Sequence, residues 1–444
     1  MEIDQVLLAR LQFGITASVH ILFPCLIIGF ALYLAVLEIL WLKTQRDIYQ
    51  IQYQFWLKPF AILFVVGAIT GVVLSYQLDT FFSSFYRKTV DILLPIRELE
   101  SLNTRLLIAG CFGIMIWGWR RVGSCLHLLA TLLVTLGVLV SVSCILARNS
   151  WMQTPAGFAV MNGQLVITDR WAAVFSPSFP YRFAHMVGAA LVSTAFIVLG
   201  ISSWFLLKQR QQVFARFNLR IALAVISVAV PLQLLSGDLH GLNTRHYQPA
   251  KLAAIEALWD TTAGAPLVVF ALPDQAQERN RYAVEIPKLA SLILTHDPDG
   301  AITGLKAIPK DERPQVAVAF FSLRLMVGIG LLMVVVGITG LVLWHRRQVY
   351  ECCWFLRLCC AMMPSGLIAT IAGWWVTEAG RQPWVVYGLI KTADVVTLFP
   401  ASDAIHFLSF LGLAYSALLG VAMYYFWRVI QRGPDGDESM VGNA

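Results

Sequence analysis

Charge is what this sequence has least of. Asp, Glu, Lys and Arg make up 13% of its 444 residues, against 58% hydrophobic, and mean hydropathy is +0.69. A soluble globular domain carries about a quarter charged residues, which excludes a water-soluble enzyme. Lys and Arg outnumber Asp and Glu by 33 to 26, a net +7, yet no basic block is long enough for a nucleic-acid surface. There is no internal repeat. A positively charged leader is also lacking: Glu2 and Asp4 precede the first apolar run, which is too long for a signal segment and is expected to stay as a helix. Cysteines number only eight. Cys25, Cys111, Cys125 and Cys144 fall in apolar runs, where a thiol behaves as a small hydrophobe. The pairs Cys352–Cys353 and Cys359–Cys360 have no His or acid at zinc-site spacing.

What is present is a series of apolar runs long enough to cross a bilayer, about 20 residues each. The expected fold is an all-α polytopic membrane protein with about nine transmembrane helices, at 13–42, 54–78, 99–119, 122–147, 181–207, 217–237, 316–345, 355–379 and 405–430. Basic residues set the orientation. Lys43 and Arg46 follow the first helix, Arg120 and Arg121 the third, Lys208, Arg210, Arg216 and Arg220 the fifth, and Arg346, Arg347 and Arg357 the seventh. These loops are assigned to the cytoplasm, placing the N-terminus outside and the C-terminus inside. Three divisions follow: helices 1–6 over 1–237, an outer polar segment over 238–315, and helices 7–9 over 316–444. At 1.5 Å per residue, His20 lies ~10 Å below the outer end of its helix, His185 ~6 Å and Met326 ~15 Å, while Glu378 closes helix 8. Polar residues at such depth are functional candidates. His and Met are common axial haem ligands, and a His/Met pair makes a six-coordinate iron of raised potential.

Longer strings sharpen this picture. RLQFGITASVH at 10–20, NSWMQTP at 149–155 and YRFAHM at 181–186 are followed by GDLHGLNTRHYQPAKLAAIEALW at 237–259, FFSLRLM at 320–326 and GWWVTEAGRQPW at 373–384. Over essentially its whole length the sequence resembles subunit I of the cytochrome bd-type quinol oxidases. The short outer segment with GDLHGLNT and QPWVVYGL resembles the cyanide-insensitive branch. The resemblance implies His185 and Met326 as axial ligands of a low-spin haem b. It implies His20 and Glu378 as ligands of two high-spin haems, with His20 on the oxygen-reducing one. The cofactors implied are two b-type haems plus haem d or a third b-type haem. Trp374, four residues before Glu378 and on the same helical face, matches a tryptophan between the haems. Lys251 and Glu256 match residues of the quinol loop, where a carboxylate can accept a quinol proton. Without the resemblance they read as a solvated helix face. Arg324 and Arg381 match positions near haem propionates or quinol, and a buried Arg needs an anionic partner.

The remaining histidines take structural readings: His127 and His345 at cytoplasmic interfaces, His240, His246 and His296 in the outer segment, His406 at the start of helix 9. Gly67-x-x-x-Gly71 fits close helix packing. Three positions depart from the family. Asp79-Thr80-Phe81-Phe82 replaces GTNW, Ser75 stands where many members have Glu, and Ile108 replaces the second of two helix 3 glutamates, of which Glu100 matches the first. Glu38, eighteen residues from His20 and on the same helical face, is a substitute for the missing inner carboxylate or else an interfacial acid.

The reading is the haem-bearing subunit of a respiratory quinol:oxygen oxidoreductase in the bacterial inner membrane. Its partners are oxidase subunit II, a small single-helix subunit, ubiquinol, molecular oxygen and the lipid bilayer, with no nucleic acid. One rival is a haem-containing electron-transfer or redox-sensing protein with weakened oxygen reduction; a second is a haem-free transporter or channel.

Overall fold

The computed structural model describes residues 5–162, 164–397 and 400–435, so Glu2 and Asp4 lie outside the described residues. Among the described residues nine helical segments are long and apolar enough to cross a membrane, as expected. The first two are α1 (Gln5–Thr44) and α2 (Asp47–Phe81). The third is composite: α3 (Ser83–Asn103), a π-helical stretch at Thr104–Ala109, and α4 (Gly110–Trp117). Then come α5 (Ser124–Gln153), a short α6 (Arg170–Val174) leading into α7 (Phe179–Leu207), and α8 (Gln212–Tyr247). Two short helices follow, α9 (Pro249–Glu256) and α10 (Leu289–Thr295). The last spans are α11 (Val316–His345), α12 with α13 (Cys353–Ala361 and Ser365–Ala379), and α14 (Ala401–Arg432).

Two boundaries differ most from expectation. The third span starts at Ser83 rather than 99. Its polar stretch is helical because Phe85, Thr89, Ile92, Leu93 and Ile96 recur at helical spacing and are buried. Arg97 ties it to α2 through a bidentate pair with Asp79, both contacts at 2.8 Å. The sixth span runs on to Tyr247, so the outer segment expected from 238 begins inside α8. That extension is held by Asn243, which donates to the Pro177 carbonyl at 3.1 Å, and by Arg245, which donates to that of Leu294 at 3.2 Å.

Four antiparallel strand pairs lie at one end of the bundle. They are β1 (Phe158–Met161) with β2 (Gln164–Ile167), β3 (Thr262–Ala263) with β6 (Ala301–Ile302), β4 (Leu267–Asp274) with β5 (Arg279–Ile286), and β7 (Trp384–Val386) with β8 (Ile390–Lys391). We call this the hairpin end. The opposite, turn end has short connections such as Gln45–Arg46 and the stretch 118–123.

Small residues bring the first two helices together. A Cβ at Gly67 would lie 2.9 Å from Ile27 Cδ1 and 3.1 Å from Phe23 Cβ, the close approach expected of a small-xxx-small pair. Toward the turn end the packing is aromatic, with Phe30 stacked on Trp56 at 5.4 Å and Phe55 edge-on to Phe214 at 4.9 Å. The Trp56 indole and the Tyr33 hydroxyl both donate to Asn218 Oδ1, at 3.0 and 2.9 Å. The turn end is therefore a dry seal whose polar groups are largely satisfied inside the chain.

Candidate functional site

His20 sits mid-α1 against α2. The Thr70 hydroxyl has one proton, which it donates to the Val66 and Gly67 carbonyls at 3.1 and 3.0 Å. It therefore accepts from His20 Nδ1, 2.9 Å away. That assigns the tautomer and leaves the Nε2 lone pair free for a metal, the arrangement in which the other ring nitrogen is held by a polar partner. Gly71, the second glycine of the packing pair, borders the ring: a Cβ there would stand 3.3 Å from His20 Cε1.

His185 lies in the second turn of α7. The Gln233 amide nitrogen of α8 stands 3.2 Å from both ring nitrogens and donates to the His185 carbonyl at 3.0 Å. Met326 belongs to α11, which packs on α8 and α13. A Cβ at Gly373 would be only 2.9 Å from Met326 Sδ, so the glycine preceding Trp374 is what admits the thioether to α13. Trp374 packs against the main apolar cluster. Its neighbour Trp375 donates to Ser18 Oγ at 2.8 Å, linking α13 to the stretch of α1 just before His20.

Glu378 is the hub of the polar groups at the hairpin end. Its Oε1 accepts from Asn149 at 2.9 Å and its Oε2 from Arg381 at 2.6 Å. Asn149 Oδ1 in turn accepts from Arg182, one turn before His185. Lys251 enters the same region from α9, donating to Gln153 at 3.2 Å, Gln248 at 3.3 Å and the Thr377 carbonyl at 3.4 Å. Arg182, Lys251 and Arg381 are 6%, 3% and 3% exposed, and all three act electrostatically on one another with Glu378 as the opposing carboxylate. Burial first, then the Arg182 and Arg381 cations, hold the Lys251 ammonium well below its ordinary range, against the pull of Glu378. Burial likewise lowers Arg381, opposed by Glu378.

Arg182 and Arg381 around one carboxylate leave a positive surplus even without Lys251. Arg182 Nε and the Nε and Nη1 atoms of Arg381 are buried donors with no partner among the described residues. Leaving buried charge uncompensated is costly, so this region calls for an anionic acceptor. Haem propionates are such acceptors, and the donor set fits haem: a free imidazole nitrogen at His20, the imidazole of His185, the thioether of Met326. Among the described residues no three His, Cys, Asp or Glu side chains gather as a metal cluster, and the cysteines are free thiols.

Two more ion pairs flank this hub. Glu256 is buried, and its Oε2 accepts from Arg324 at 2.6 Å while Arg324 Nε donates to the Val268 carbonyl at 2.7 Å. Burial raises the Glu256 carboxyl above the usual range, and Arg324 opposes the rise. Lys251 and Glu256 are thus not a solvated helix face: α9 is buried along nearly its whole length. Glu100 pairs with Arg148 on α5, the residue before Asn149. His127 is not interfacial either. It is 2% exposed and its Nδ1 lies 2.6 Å from the fully buried Glu38, so Glu38 is not an interfacial acid.

Sequence reasoning passed over Arg148, Asn149, Arg182, Gln153, Gln233 and Gln248. The signal was available for Arg148–Asn149 and Arg182, which are polar residues within or beside membrane runs. It was absent for the glutamines, whose partners are distant in sequence.

A family model described as Cytochrome bd terminal oxidase subunit I matches residues 8–434. The chain is 30% identical over 446 residues to Cytochrome bd ubiquinol oxidase subunit 1 of Bacillus subtilis (strain 168), covering 98% of this chain and 95% of that one. It is 30% identical over 505 residues to Cytochrome bd-II ubiquinol oxidase subunit 1 of Escherichia coli (strain K12), covering 98% of each. Its fold is similar to the solved structure of bd oxidase from Geobacillus thermodenitrificans, with a TM-score of 0.90, 30% identity, and coverage of 97% of this chain and 99% of that one.

Proposed function

This chain belongs to the cytochrome bd terminal oxidase subunit I family, and from that premise we propose how its residues serve quinol:oxygen oxidoreduction. It is a subunit of a quinol oxidase, a multi-pass bacterial membrane protein that carries haem, uses quinol and oxygen, and pairs with an oxidase subunit II. Membership favours this function over an electron-transfer or sensing protein without oxygen reduction.

The finer assignments are ours. His185 and Met326 would hold a low-spin haem b. His20 and Glu378 hold the two high-spin haems, a haem b and either haem d or a third b-type haem, with His20 on the oxygen-reducing one. Trp374 would pack beside those haems. The hairpin end faces outward and the turn end, with its Lys and Arg loops, faces the cytoplasm of a cell with this chain in its inner membrane. The quinol segment is 238–315, the substrate is ubiquinol, and a small single-helix subunit completes the complex.

Haem, when bound, supplies one-electron transfer and an open coordination position for oxygen. The chain's residues hold charge and move protons around it. Arg381 and Arg182 present buried, unpartnered donors to propionates. Thr70 fixes the His20 ring with Nε2 free. Glu256, raised by burial, is the base that takes a proton from a quinol hydroxyl. Arg324 holds that carboxylate in place at 2.6 Å. Lys251, its ammonium held below the ordinary range by burial, offers N–H donors to the anion left behind. Glu100, paired with Arg148, delivers protons to the oxygen site.

The observation that carries this reading is the buried cation surplus around Glu378. The test is the purified complex. Quinol-driven oxygen consumption with one six-coordinate and two high-spin haem signals is expected. A complex that binds haem but consumes no oxygen with quinol would overturn it.

A further inference from the structure

Glu38 and His127 stand apart from every group assigned above. Glu38 is on α1, six residues before its end at the turn end, and His127 is in the first turn of α5. Both side chains are buried, at 0% and 3% exposure, and Glu38 Oε1 lies 2.6 Å from His127 Nδ1. The other ring nitrogen, Nε2, is 3.2 Å from the Met115 carbonyl. A carbonyl only accepts, so Nε2 carries a hydrogen and donates it. The contact between Nδ1 and Oε1 must then hold one hydrogen shared between them. Whether that hydrogen sits on nitrogen or oxygen, the pair has zero net charge.

Glu38 Oε2 is buried, and among the described residues the polar group that reaches this carboxyl besides His127 is the Tyr53 hydroxyl, with no hydrogen bond of full geometry to Oε2. A purely structural ion pair would satisfy both oxygens, because an unpaired buried acceptor costs free energy. The Tyr53 hydroxyl acts on this carboxyl and lies 2.9 Å from Thr131 Oγ1. Next along α5, the Thr135 hydroxyl donates to the Thr131 carbonyl at 2.8 Å and to that of Ala31 at 3.2 Å. Two residues further, about 3 Å of helix rise, the Gly137 carbonyl accepts from Asn103 at 2.8 Å, and Asn103 also donates to Ser141 at 2.9 Å. Ser141 stands 3.5 Å from Thr104, whose hydroxyl donates to the Glu100 carbonyl. Polar groups thus stand at successive levels of α5 between Glu38–His127 and Glu100–Arg148, a span of about 32 Å from His127 to Arg148, those up to Thr135 on one face of the helix and those from Gly137 onward on another. Ile108 is 4% exposed and part of the main apolar cluster, so the position it occupies carries no proton.

We propose that Glu38 and His127 form the proton-loading site of the turn end: a buried carboxyl–imidazole pair that holds one shared proton at rest, takes a second from the cytoplasm and passes one on toward Glu100. The proposal rests on the oxidase reading and the outward orientation of the hairpin end. In the loading step a proton from water bonds to the free basic atom of the pair, taking it from zero to +1. The acid hydrogen of Glu38 then turns toward Tyr53 and Thr131. The Tyr53 oxygen takes that hydrogen as its own passes to Thr131 Oγ1, 2.9 Å away, which returns the pair to zero, and no electron moves. Four such cycles match the four protons that join oxygen and four quinol electrons in two waters.

The test uses the intact complex with Glu38→Gln, His127→Phe and Thr131→Val. Infrared spectroscopy should find a buried carboxylic-acid band that shifts in D2O, disappears in Glu38→Gln and moves in His127→Phe. Proton uptake by the fully reduced complex on an oxygen pulse, followed with a pH dye, should slow at least tenfold in the first two variants and several-fold in Thr131→Val. Quinol should still reduce the haems at the parental rate. Parental proton uptake in all three variants would overturn the proposal, as would a carboxylic-acid band indifferent to both Glu38→Gln and His127→Phe. If the first two variants do not assemble, Thr131→Val decides, since its shape is kept and only a hydroxyl is lost. A parent complex that consumes no oxygen would overturn the oxidase reading instead, while the infrared bands would still decide whether the pair shares a proton.

Discussion

The two ends of this bundle treat buried polar atoms differently. At the turn end the large aromatics are satisfied internally, with Trp56 and Tyr33 both bonded to Asn218, and the atoms left over are oxygens: Gln52 Oε1, Ser203 Oγ, Glu38 Oε2. At the hairpin end the leftovers include guanidinium nitrogens of Arg148, Arg182 and Arg381. A buried network that is only partly satisfied is destabilising unless another group completes it. Orphaned cationic donors therefore mark where a non-protein anion belongs, whereas a lone carboxyl oxygen marks a place for a proton. One end leaves room in its hydrogen bonding for an anion, the other for a proton.

The sharpest break of that comparison is at the iron. With His185→Leu or Met326→Leu, the six-coordinate low-spin spectrum should vanish completely while the two high-spin signals largely persist, read by reduced-minus-oxidised optical spectra. An unchanged low-spin signal in both variants would refute the pair and leave the hairpin end's donors unexplained.

Next come the groups that handle substrate. Lys251→Ala or Glu256→Ala should lower quinol turnover by about 10²-fold, the low end for a lost proton-transfer group, with dithionite still reducing every haem. Glu100→Gln should slow oxygen turnover by a similar factor with normal haem content. Parental rates in the loop variants would detach α9 from quinol chemistry; a parental rate in Glu100→Gln would remove the relay.

A smaller effect tests the electrostatics of Glu256. The base works deprotonated, so quinol turnover should fall as pH drops through its raised range. Arg324 opposes the rise; Arg324→Gln should therefore move this acid limb to higher pH, and Glu256→Gln should abolish it. A limb that stays in place in Arg324→Gln would mean another group titrates there.

How much of this was legible in the sequence follows from the range of each interaction. Nine spans could be read because hydropathy is local. The third span's early start was missed because its helix is amphipathic, with Arg87, Lys88 and Asp91 exposed and Ile92 and Leu93 buried. The α8 extension was missed because its stabilising partners, Pro177 and Leu294, are 66 and 49 residues away. His20, His185, Met326 and Glu378 stood out through family strings and depth in the membrane. The cation surplus did not, because it exists only where α5, α7, α9 and α13 converge. Likewise Glu38 and His127, 89 residues apart, read singly as interfacial groups and become a pair only when α1 meets α5.

The smallest expected change to function tests the dry end. Asn218 is 0% exposed; its Oδ1 accepts from Trp56 at 3.0 Å and Tyr33 at 2.9 Å, and its Nδ2 donates to the Phe214 carbonyl at 3.1 Å. Leu has a similar volume, so Asn218→Leu removes the hydrogen bonds without opening a large cavity. The indole and phenol donors would be left buried and unpaired, at a cost of about 1–3 kcal/mol each. A lower thermal midpoint for the purified complex is expected, with haem spectra and quinol turnover of the surviving fraction unchanged. The separation matters because the seal touches none of the residues assigned to haem or quinol. Altered haem spectra at parental stability would mean that the two ends are coupled through α8, and that the turn end does more than exclude water.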